Sequence, residues 1–208
     1  MRVASYVKDI DKAIDLANKL QTKGYETTIN LMAVSHAREV ELDEALMQVE
    51  KESGVDALYL VDSFGALYSE QISHLARKYK SLMPTKEIGI HAHNNQQLAF
   101  ANTIEAVIQN INYLDGTIFG IGRAAGNCPL ELLLGFLKNP KYDLRPILEI
   151  LESHFVKLKE EIEWGYTIPY MITGILDLHP RAGMKLRKSE SKDDYLGFFD
   201  SLAQSDSA

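Results

Sequence analysis

Two histidines separated by one residue are the strongest chemical signal in the sequence. His91 and His93 stand at the end of an apolar run, residues 88–92, whose composition is typical of a β-strand. Because residues i and i+2 of a strand project from the same face, both imidazoles are predicted to share one face at its carboxyl end. Two imidazoles completed by a carboxylate suit Zn²⁺, Mn²⁺ or Fe²⁺. A pair of hydrogen-bonded structural histidines is the alternative that the motif alone leaves open.

Polar residues also follow two other predicted strands. Asp62 and Ser63 come after the run at 57–61, and Ser35 with His36 closes the run at 29–34. Asp and Ser are common in turns and helix caps as well. Their coincidence with the histidine pair predicts one polar rim, because the carboxyl ends of parallel strands are where ligands bind in such folds.

A glycine-rich loop follows the last predicted strand. Gly120, Gly122 and Gly126 are spaced one residue longer than the dinucleotide-binding fingerprint, and no later strand offers an acidic residue for a ribose. Nicotinamide binding is therefore excluded. A glycine loop that leads through Asn127 into a helix instead predicts an anion cradle or a support for a metal shell.

Two tyrosines in the later, helical part of the chain are candidates for proton transfer. Tyr166 and Tyr170 are four residues apart, so on one helix they would share a face. A phenol can act as a general acid or orient a carbonyl beside a metal. Packing of the helical region is the alternative role, which we expect for one of the two.

The elements that must position these residues repeat along the chain. Five β-type runs, each followed by a helical pattern, recur at a pitch of about 28 residues, close to the roughly 31 of an eight-fold (β/α) barrel. A strand and crossover helix at that pitch implies parallel strands. Periodicity alone does not choose between a barrel and an open flavodoxin-like sheet. The predicted strands are residues 3–7, 29–34, 57–61, 88–92 and 113–119.

The pattern changes to helices only in the last third of the chain. We predict a partial (β/α) barrel over residues 1–139 and a docked helical region over 140–203, with long helices at 144–162 and ending near 178. Residues 204–208 are small and polar and are expected to fray.

Composition excludes several classes of protein. Among 208 residues, 29 Asp and Glu outnumber 22 Lys and Arg, and the net charge of −7 has the wrong sign for a nucleic-acid-binding protein. The single Cys128 excludes an intrachain disulfide framework. No apolar run is long enough for a membrane span or a signal peptide. These features predict a cytoplasmic protein with neither nucleic acid nor membrane as a partner.

Four segments of the sequence form a combined motif, namely residues 90–94, 101–104, 114–122 and 125–131. Together they resemble the pyruvate-type metal-dependent aldolases of the DRE-TIM metallolyase superfamily, which have an HMG-CoA lyase-like domain. Within it, the 4-hydroxy-2-oxovalerate aldolase branch is the most similar. The likeness extends back through Ser63 to residue 31 and forward to Tyr170, and so covers most of the first 180 residues or so.

The resemblance implies roles for individual residues. His91 and His93 would ligate a divalent cation, with Mn²⁺ expected first and Mg²⁺, Co²⁺ or Zn²⁺ as alternatives. Asn127 matches an asparagine that ligates or lines the metal in the lyase branch. Ser63 would contact the carboxylate end of the substrate, beside His91 and Tyr170, and Tyr170 would be the acid/base phenol.

The implied activity is cleavage of a 4-hydroxy-2-oxo acid to pyruvate and an aldehyde. The small 2-oxo acid is thus the expected partner. Apolar faces and sheet edges that the expected absence of three β/α units would leave bare favour self-association, so a homo-oligomer is expected. Related aldolases form complexes with an acylating aldehyde dehydrogenase, which the resemblance makes a candidate partner.

Two departures from the family keep other functions open. The metal-ligating aspartate and the arginine of the family's Asp-x-x-x-Arg-Asp-Gly motif have no counterpart, and the likeness places the first predicted strand at the family's fourth, so three β/α units are expected to be absent. A non-catalytic binding or assembly subunit is therefore an alternative. Acyl-CoA condensation of the isopropylmalate synthase type is a further one, against which Arg123 argues because that branch has Glu there.

Overall fold

The computed structural model describes residues 1–205. Their contacts form two compact units. The sheet unit comprises residues 1–63, 67–92 and 101–115, and the loop-and-helix unit comprises 64–66, 93–100 and the residues from 116 onward. The division after residue 139 that we expect from the sequence stays a prediction.

The sheet unit contains five parallel strands in the order of the chain, which confirms the α/β fold class and the open, unclosed sheet. Neighbouring strands are joined by crossover helices, as the repeat pitch predicts. The strands are β1 (Arg2–Tyr6), β2 (Thr28–Met32), β3 (Ala57–Asp62), β4 (Glu87–Ala92) and β5 (Tyr113–Leu114). The first four helices are α1 (Ile10–Gln21), α2 (Glu39–Glu52), α3 (Ser69–Leu82) and α4 (Ala99–Ile108).

The two faces of the sheet differ in what they carry. Ile29 pairs in register with Leu58, which pairs with Ile88, so these side chains share one face, and all three are almost fully buried. The other face carries Tyr59 and, one row further along, Val61 beside His91. Strand β3 is buried on both faces, as a central strand of a parallel sheet should be.

Strand β5 is shorter than predicted. The expected strand at 113–119 ends at Leu114, although the backbone N–H of Asp115 still donates to the carbonyl of Ile90 at 3.1 Å. Further along, Phe119 has φ +55° and Gly120 has φ +60°. Such left-handed conformations cannot continue a strand, so the apolar residues there belong to the glycine loop.

The loop-and-helix unit consists mainly of short helices. The predicted helix at 144–162 is present with a π-helical segment at its centre, Leu151–Phe155, and the predicted helix near 178 ends earlier, at Ile175. The last helix reaches Ser205, and the other three residues of the predicted frayed tail lie outside the described residues. The helices are α5 (Leu130–Leu137), α6 (Arg145–Ile150), α7 (Val156–Glu161), α8 (Ile168–Ile175), α9 (Arg181–Arg187) and α10 (Tyr195–Ser205).

Within residues 1–205, no helix has both the length and the apolar character needed to cross a membrane.

Candidate active site

His91 lies near the carboxyl end of β4 and is held by a carboxylate. Its Nδ1 lies 2.8 Å from Oδ2 of Asp115, which directly follows β5. Both side chains are 21% exposed, so the pair is partly shielded from water. A carboxylate that binds one ring nitrogen of a histidine fixes the ring and directs the other nitrogen, as is usual for metal-ligating histidines.

Asp115 also binds Arg2 of strand β1. Two hydrogen bonds join the guanidinium to the carboxylate, at 2.5 and 3.2 Å, and Cζ of Arg2 lies 4.0 Å from the ring centroid of Tyr59. Burial favours a higher pKa for Asp115, but the hydrogen bonds from His91 and Arg2 outweigh it and lower the pKa below its ordinary value. Asp115 is therefore an ionised acceptor at neutral pH.

Ser63 connects the ends of two strands. Its Oγ accepts a hydrogen bond from the backbone N–H of Ala33 at 2.8 Å, just beyond β2, where Ala33 has φ +53°. This bond leaves the hydroxyl proton of Ser63 able to reach an acceptor. The role of Ser63 in binding substrate stays a prediction.

The other residues of the predicted rim have different positions. Asp62 is 2% exposed, and its Oδ1 accepts from the backbone N–H of Leu67 at 3.4 Å. Ser35 and His36 do not end a strand but belong to a 3-10 turn after β2. The carboxylate of Asp62 thus supports the turn before α3, which is the alternative role of such residues.

In the loop-and-helix unit, His93 and Asn127 are neighbours. They form an isolated antiparallel bridge, and the N–H of Asn94 donates to the carbonyl of Gly126 at 2.9 Å. The side-chain Nδ2 of Asn127 donates to the carbonyl of Ile121 at 3.0 Å. This hydrogen bond orients the amide so that its oxygen is the atom suited to bind a cation.

Two glycines explain why the loop can close around Asn127. Gly126 has φ +78°, and a Cβ there would lie 2.1 Å from the carbonyl oxygen of Gly120. A Cβ on Gly122 would lie 2.5 Å from Nδ2 of Asn127. The first contact is with backbone and the second with the side-chain amide of Asn127, and both are shorter than a Cβ atom tolerates. The two glycines are therefore explained by close packing within the loop.

Tyr170 lies in the first turn of α8 and is 4% exposed. It packs on Ala124 and Ala125 of the glycine loop, and its hydroxyl donates to Oε1 of Glu163 at 3.1 Å. Burial, together with the charge of Glu163, raises the pKa of Tyr170 to about 12. The phenol is therefore protonated at neutral pH and can act as a proton donor.

Tyr166 differs from Tyr170 in both position and exposure. Helix α8 begins at Ile168, so Tyr166 precedes the helix and is 48% exposed. The two tyrosines therefore do not share a helix face.

Glu163 accepts the hydrogen bond from the hydroxyl of Tyr170 and so holds the phenol in place. This residue is not identified as a candidate from the sequence. Arg187 of α9 binds its carboxylate through Nη2 at 2.5 Å and through Nε at 3.1 and 3.3 Å. The hydrogen bond from Arg187 lowers the pKa of Glu163, against the opposing effect of burial. The only signal in the sequence is that Glu163 directly precedes the aromatic segment before α8.

Asn95 links the residues after the histidine motif to Tyr170. It is 2% exposed, and its Nδ2 donates to the backbone carbonyl of Tyr170 at 3.1 Å and lies 3.4 Å from Oγ1 of Thr173. The polar character of Asn95 is visible in the sequence, but its supporting role is a result of the tertiary structure.

Imidazole nitrogens and amide oxygens are, as ligand types, suited to a divalent cation of intermediate hardness. The described residues contain no cluster of three His, Cys, Asp or Glu side chains suited to a metal. The ligand set expected from the sequence, His91, His93 and Asn127, stays a prediction. Within the sheet unit, Asp115 orients the ring of His91 as a carboxylate usually orients a metal-ligating histidine. The expectation that both histidine rings enter one pocket stays a prediction.

Comparison with known proteins identifies related sequences. An oxaloacetate decarboxylase of Mycobacterium tuberculosis is 33% identical over 141 residues, 66% of this chain and 40% of that protein. A 4-hydroxy-2-oxovalerate aldolase of Thermus thermophilus is 30% identical over 156 residues, 73% of this chain and 45% of that protein. The chain thus spans less than half the length of these curated relatives.

Solved structures show the same fold. The N-terminal domain of an aldolase-type protein from Bacteroides vulgatus matches with a TM-score of 0.79 and 31% identity, over 90% of this chain and 63% of that one. The HMG-CoA lyase of Bacillus subtilis matches with a TM-score of 0.63 at 19% identity, over 77% of this chain and 62% of that one, and supports the fold alone.

The family assignment follows from the sequence profile. Residues 1–153, about three quarters of the chain, match the family described as HMGL-like. The matched segment includes His91, His93 and Asn127 of the candidate site. The chain therefore belongs to the HMGL-like family.

Proposed function

We propose that this protein is a divalent-metal-dependent carbon–carbon lyase that cleaves a 4-hydroxy-2-oxo acid to pyruvate and an aldehyde. The observation that carries the proposal is the hydrogen bond between His91 and Asp115 near the carboxyl end of β4. Membership of the HMGL-like family and relatives named as aldolases at about 30% identity add support. Proposed ligands of the cation are His91, His93 and Asn127.

The chemistry of the reaction sets what the residues must do. Aldol cleavage breaks the C3–C4 bond, and the electron pair passes into the 2-oxo group while the 4-hydroxyl loses its proton. A bound cation would polarise the 2-oxo group and so lower the cost of this charge. Ser63 is proposed to donate a hydrogen bond to the substrate carboxylate.

Tyr170 is proposed to deliver a proton. A phenol is protonated at neutral pH, and the raised pKa of Tyr170 moves its ionisation still further from neutrality. The hydroxyl therefore carries a proton that it can deliver to C3 after the bond breaks. Glu163, held by Arg187, accepts the hydrogen bond of the phenol and limits its rotation. A different group must act as the base that accepts the 4-hydroxyl proton, because the phenol of Tyr170 already carries a proton.

Decarboxylation of oxaloacetate is a second candidate reaction. The relative named as an oxaloacetate decarboxylase is 33% identical. That reaction also breaks a C3–C4 bond and passes the electron pair into a 2-oxo group, but it releases CO₂ and needs no base for a hydroxyl. A protonated Tyr170 suits it because C3 needs only a proton donor.

Pyruvate release tests both reactions. The purified chain would be incubated with 4-hydroxy-2-oxovalerate or oxaloacetate, with Mn²⁺ or with a chelator, beside His91→Ala. Metal-dependent pyruvate formation that His91→Ala abolishes supports the proposal, and the faster substrate identifies the reaction. Pyruvate formation from neither substrate would reject catalysis and leave a binding or assembly role.

Three wider properties remain proposals. They are a homo-oligomeric assembly, a complex with an aldehyde dehydrogenase, and a cytoplasmic location.

A further inference from the structure

Helix α9 presents a cationic face to solvent. Five of the 22 lysines and arginines lie within residues 181–192, which contain a single acidic residue. Arg181, Lys185 and Lys188 are exposed and are spaced four and three residues apart, so they lie along one side of the helix. None of the three side chains has an ion-pair partner among the described residues. We call these three side chains the basic face.

The other side of α9 is fixed to the rest of its unit. A Cβ on Gly183 would lie 3.0 Å from the carbonyl oxygen of Pro169, so the helix packs closely on the start of α8. Arg187, four residues further along, binds the carboxylate of Glu163. Because these two contacts hold α9 from its inner side, the basic face has a fixed orientation.

A second helical segment of the same unit carries the opposite charge. Helices α6 and α7 and the π-helical turn between them form one continuous segment, residues 145–161, along which no residue is buried. Glu149, Glu152 and Glu160 are exposed and follow one another at three and eight residues, a spacing that repeats along one side of a helix. In the part of the chain that the structure describes, Glu152 and Glu160 have no ion-pair partner, whereas Glu149 binds an arginine of its own helix. We call these three carboxylates the acidic face.

Exposed apolar side chains accompany both faces. Leu148 and Val156, on the segment of the acidic face, are more than half exposed. Leu196, in the first turn of α10, is also more than half exposed and follows the basic face in the chain. Burial of such side chains in an interface would add a hydrophobic contribution to the contacts between opposite charges.

We propose that two copies of this chain associate through these surfaces, with the basic face of each copy against the acidic face of the other. Both faces belong to one unit and do not neutralise each other within the described chain. A two-fold arrangement uses each face once per chain, so the assembly closes as a dimer. The net charge of −7 opposes nucleic acid as the occupant of the basic face. The proposal does not rest on the lyase reaction, because it concerns association alone.

Reversing the charge of one face at a time tests the proposal. The basic-face variant is Arg181→Glu/Lys185→Glu, and the acidic-face variant is Glu152→Lys/Glu160→Lys. Sedimentation velocity of the full chain would measure the dissociation constant of each dimer at low and at high salt concentration. All four positions are exposed, so the fold should be retained, and circular dichroism verifies this.

The dimer of the native chain should weaken at high salt, because salt screens exposed charges. Each variant alone should have a dissociation constant at least about tenfold higher than the native chain, because like charges then meet in both contacts of the dimer. An equimolar mixture of the two variants should associate as strongly as the native chain, since each reversed face then meets a face of opposite charge.

The matched control is Lys23→Glu/Lys51→Glu, which makes the same change of charge at two exposed lysines of the sheet unit. It should associate as the native chain does. The free edge of β1 is the same in all these proteins, so association through that edge cannot produce selective loss and rescue. A native chain that stays monomeric, an equal loss in the control, or folded variants that do not associate when mixed would overturn the proposal.

Discussion

Arg2 and Asp115 form an ion pair although their strands lie at opposite edges of the five-stranded sheet. In a flat sheet, β1 and β5 would be about 19 Å apart, since neighbouring strands are separated by about 4.8 Å. Two side chains cannot span that distance. The sheet unit is therefore strongly curved, with Arg2, Tyr59, His91 and Asp115 on its concave face. This curvature agrees with a partial barrel rather than an open flavodoxin-like sheet.

Removing the charge of Asp115 should weaken metal binding. In Asp115→Asn the neutral amide holds the His91 ring less firmly, and we expect a 10- to 100-fold loss of Mn²⁺ affinity, the usual effect of losing such a partner. Isothermal titration calorimetry measures the affinity. Asp11→Asn, at an exposed position of α1, is the matched control. An unchanged affinity in Asp115→Asn would show that His91 does not depend on this carboxylate.

Replacing Tyr170 by Phe should reduce turnover by about 10²-fold, the lower end for loss of a general acid. The phenyl ring keeps the packing on Ala124 and Ala125, so the fold should be retained. Tyr166→Phe removes a hydroxyl from an exposed residue and should leave turnover near the native value. Steady-state pyruvate release measures both variants, and equal rates would assign Tyr170 to packing alone.

The raised pKa of Tyr170 predicts a dependence of stability on pH. The unfolded phenol ionises near pH 10, whereas the folded phenol keeps its proton until about pH 12. This contribution to the free energy of unfolding is therefore fully present below pH 10 and is lost as pH rises through 12. Urea unfolding at several pH values should show native protein and Tyr170→Phe converging across this interval. A constant difference between them would contradict the shift.

Two glycine substitutions should have opposite effects. Gly126→Ala forces a side chain into a left-handed conformation and against the carbonyl of Gly120, so we expect a loss of at least about 1–3 kcal/mol in the free energy of unfolding. Gly135→Ala, inside α5 and with open space around it, should gain about 0.5–1 kcal/mol. Thermal or urea unfolding compares them. Similar values for both variants would refute the packing account of the loop.

The edge strand β1 should promote self-association. Tyr6 is 42% exposed on this edge, beside a cleft of about 270 Å³ that Leu16 and Met32 also line. Unpaired backbone groups and apolar side chains at a sheet edge favour pairing with another chain. Sedimentation equilibrium should show association that Tyr6→Lys reduces. Tyr142→Lys, at a similarly exposed tyrosine, should not reduce it, and a monomer at every concentration would exclude this edge as an interface.

The sequence alone predicted the order of the strands and crossover helices and the position of one candidate site residue. The repeat pitch predicted five parallel strands in chain order, because a crossover helix needs a nearly constant length to return to the next strand. The position of His91 near the carboxyl end of β4 followed from composition and strand alternation. These features depend on neighbours within a few residues, and such local patterns can be recognised in the sequence itself.

Only the tertiary structure decided the partners of those residues. Asp115 is 24 residues from His91 and 113 from Arg2, and Glu163 meets Arg187 across 24 residues. Which carboxylate reaches which ring or cation depends on the curvature of the sheet and the closure of the loops. Strand β5 ends early for a similar reason, since the left-handed backbone of Phe119 belongs to a loop that closes on Asn127. The apolar composition near residue 119 predicts a strand and gives no sign of this loop conformation.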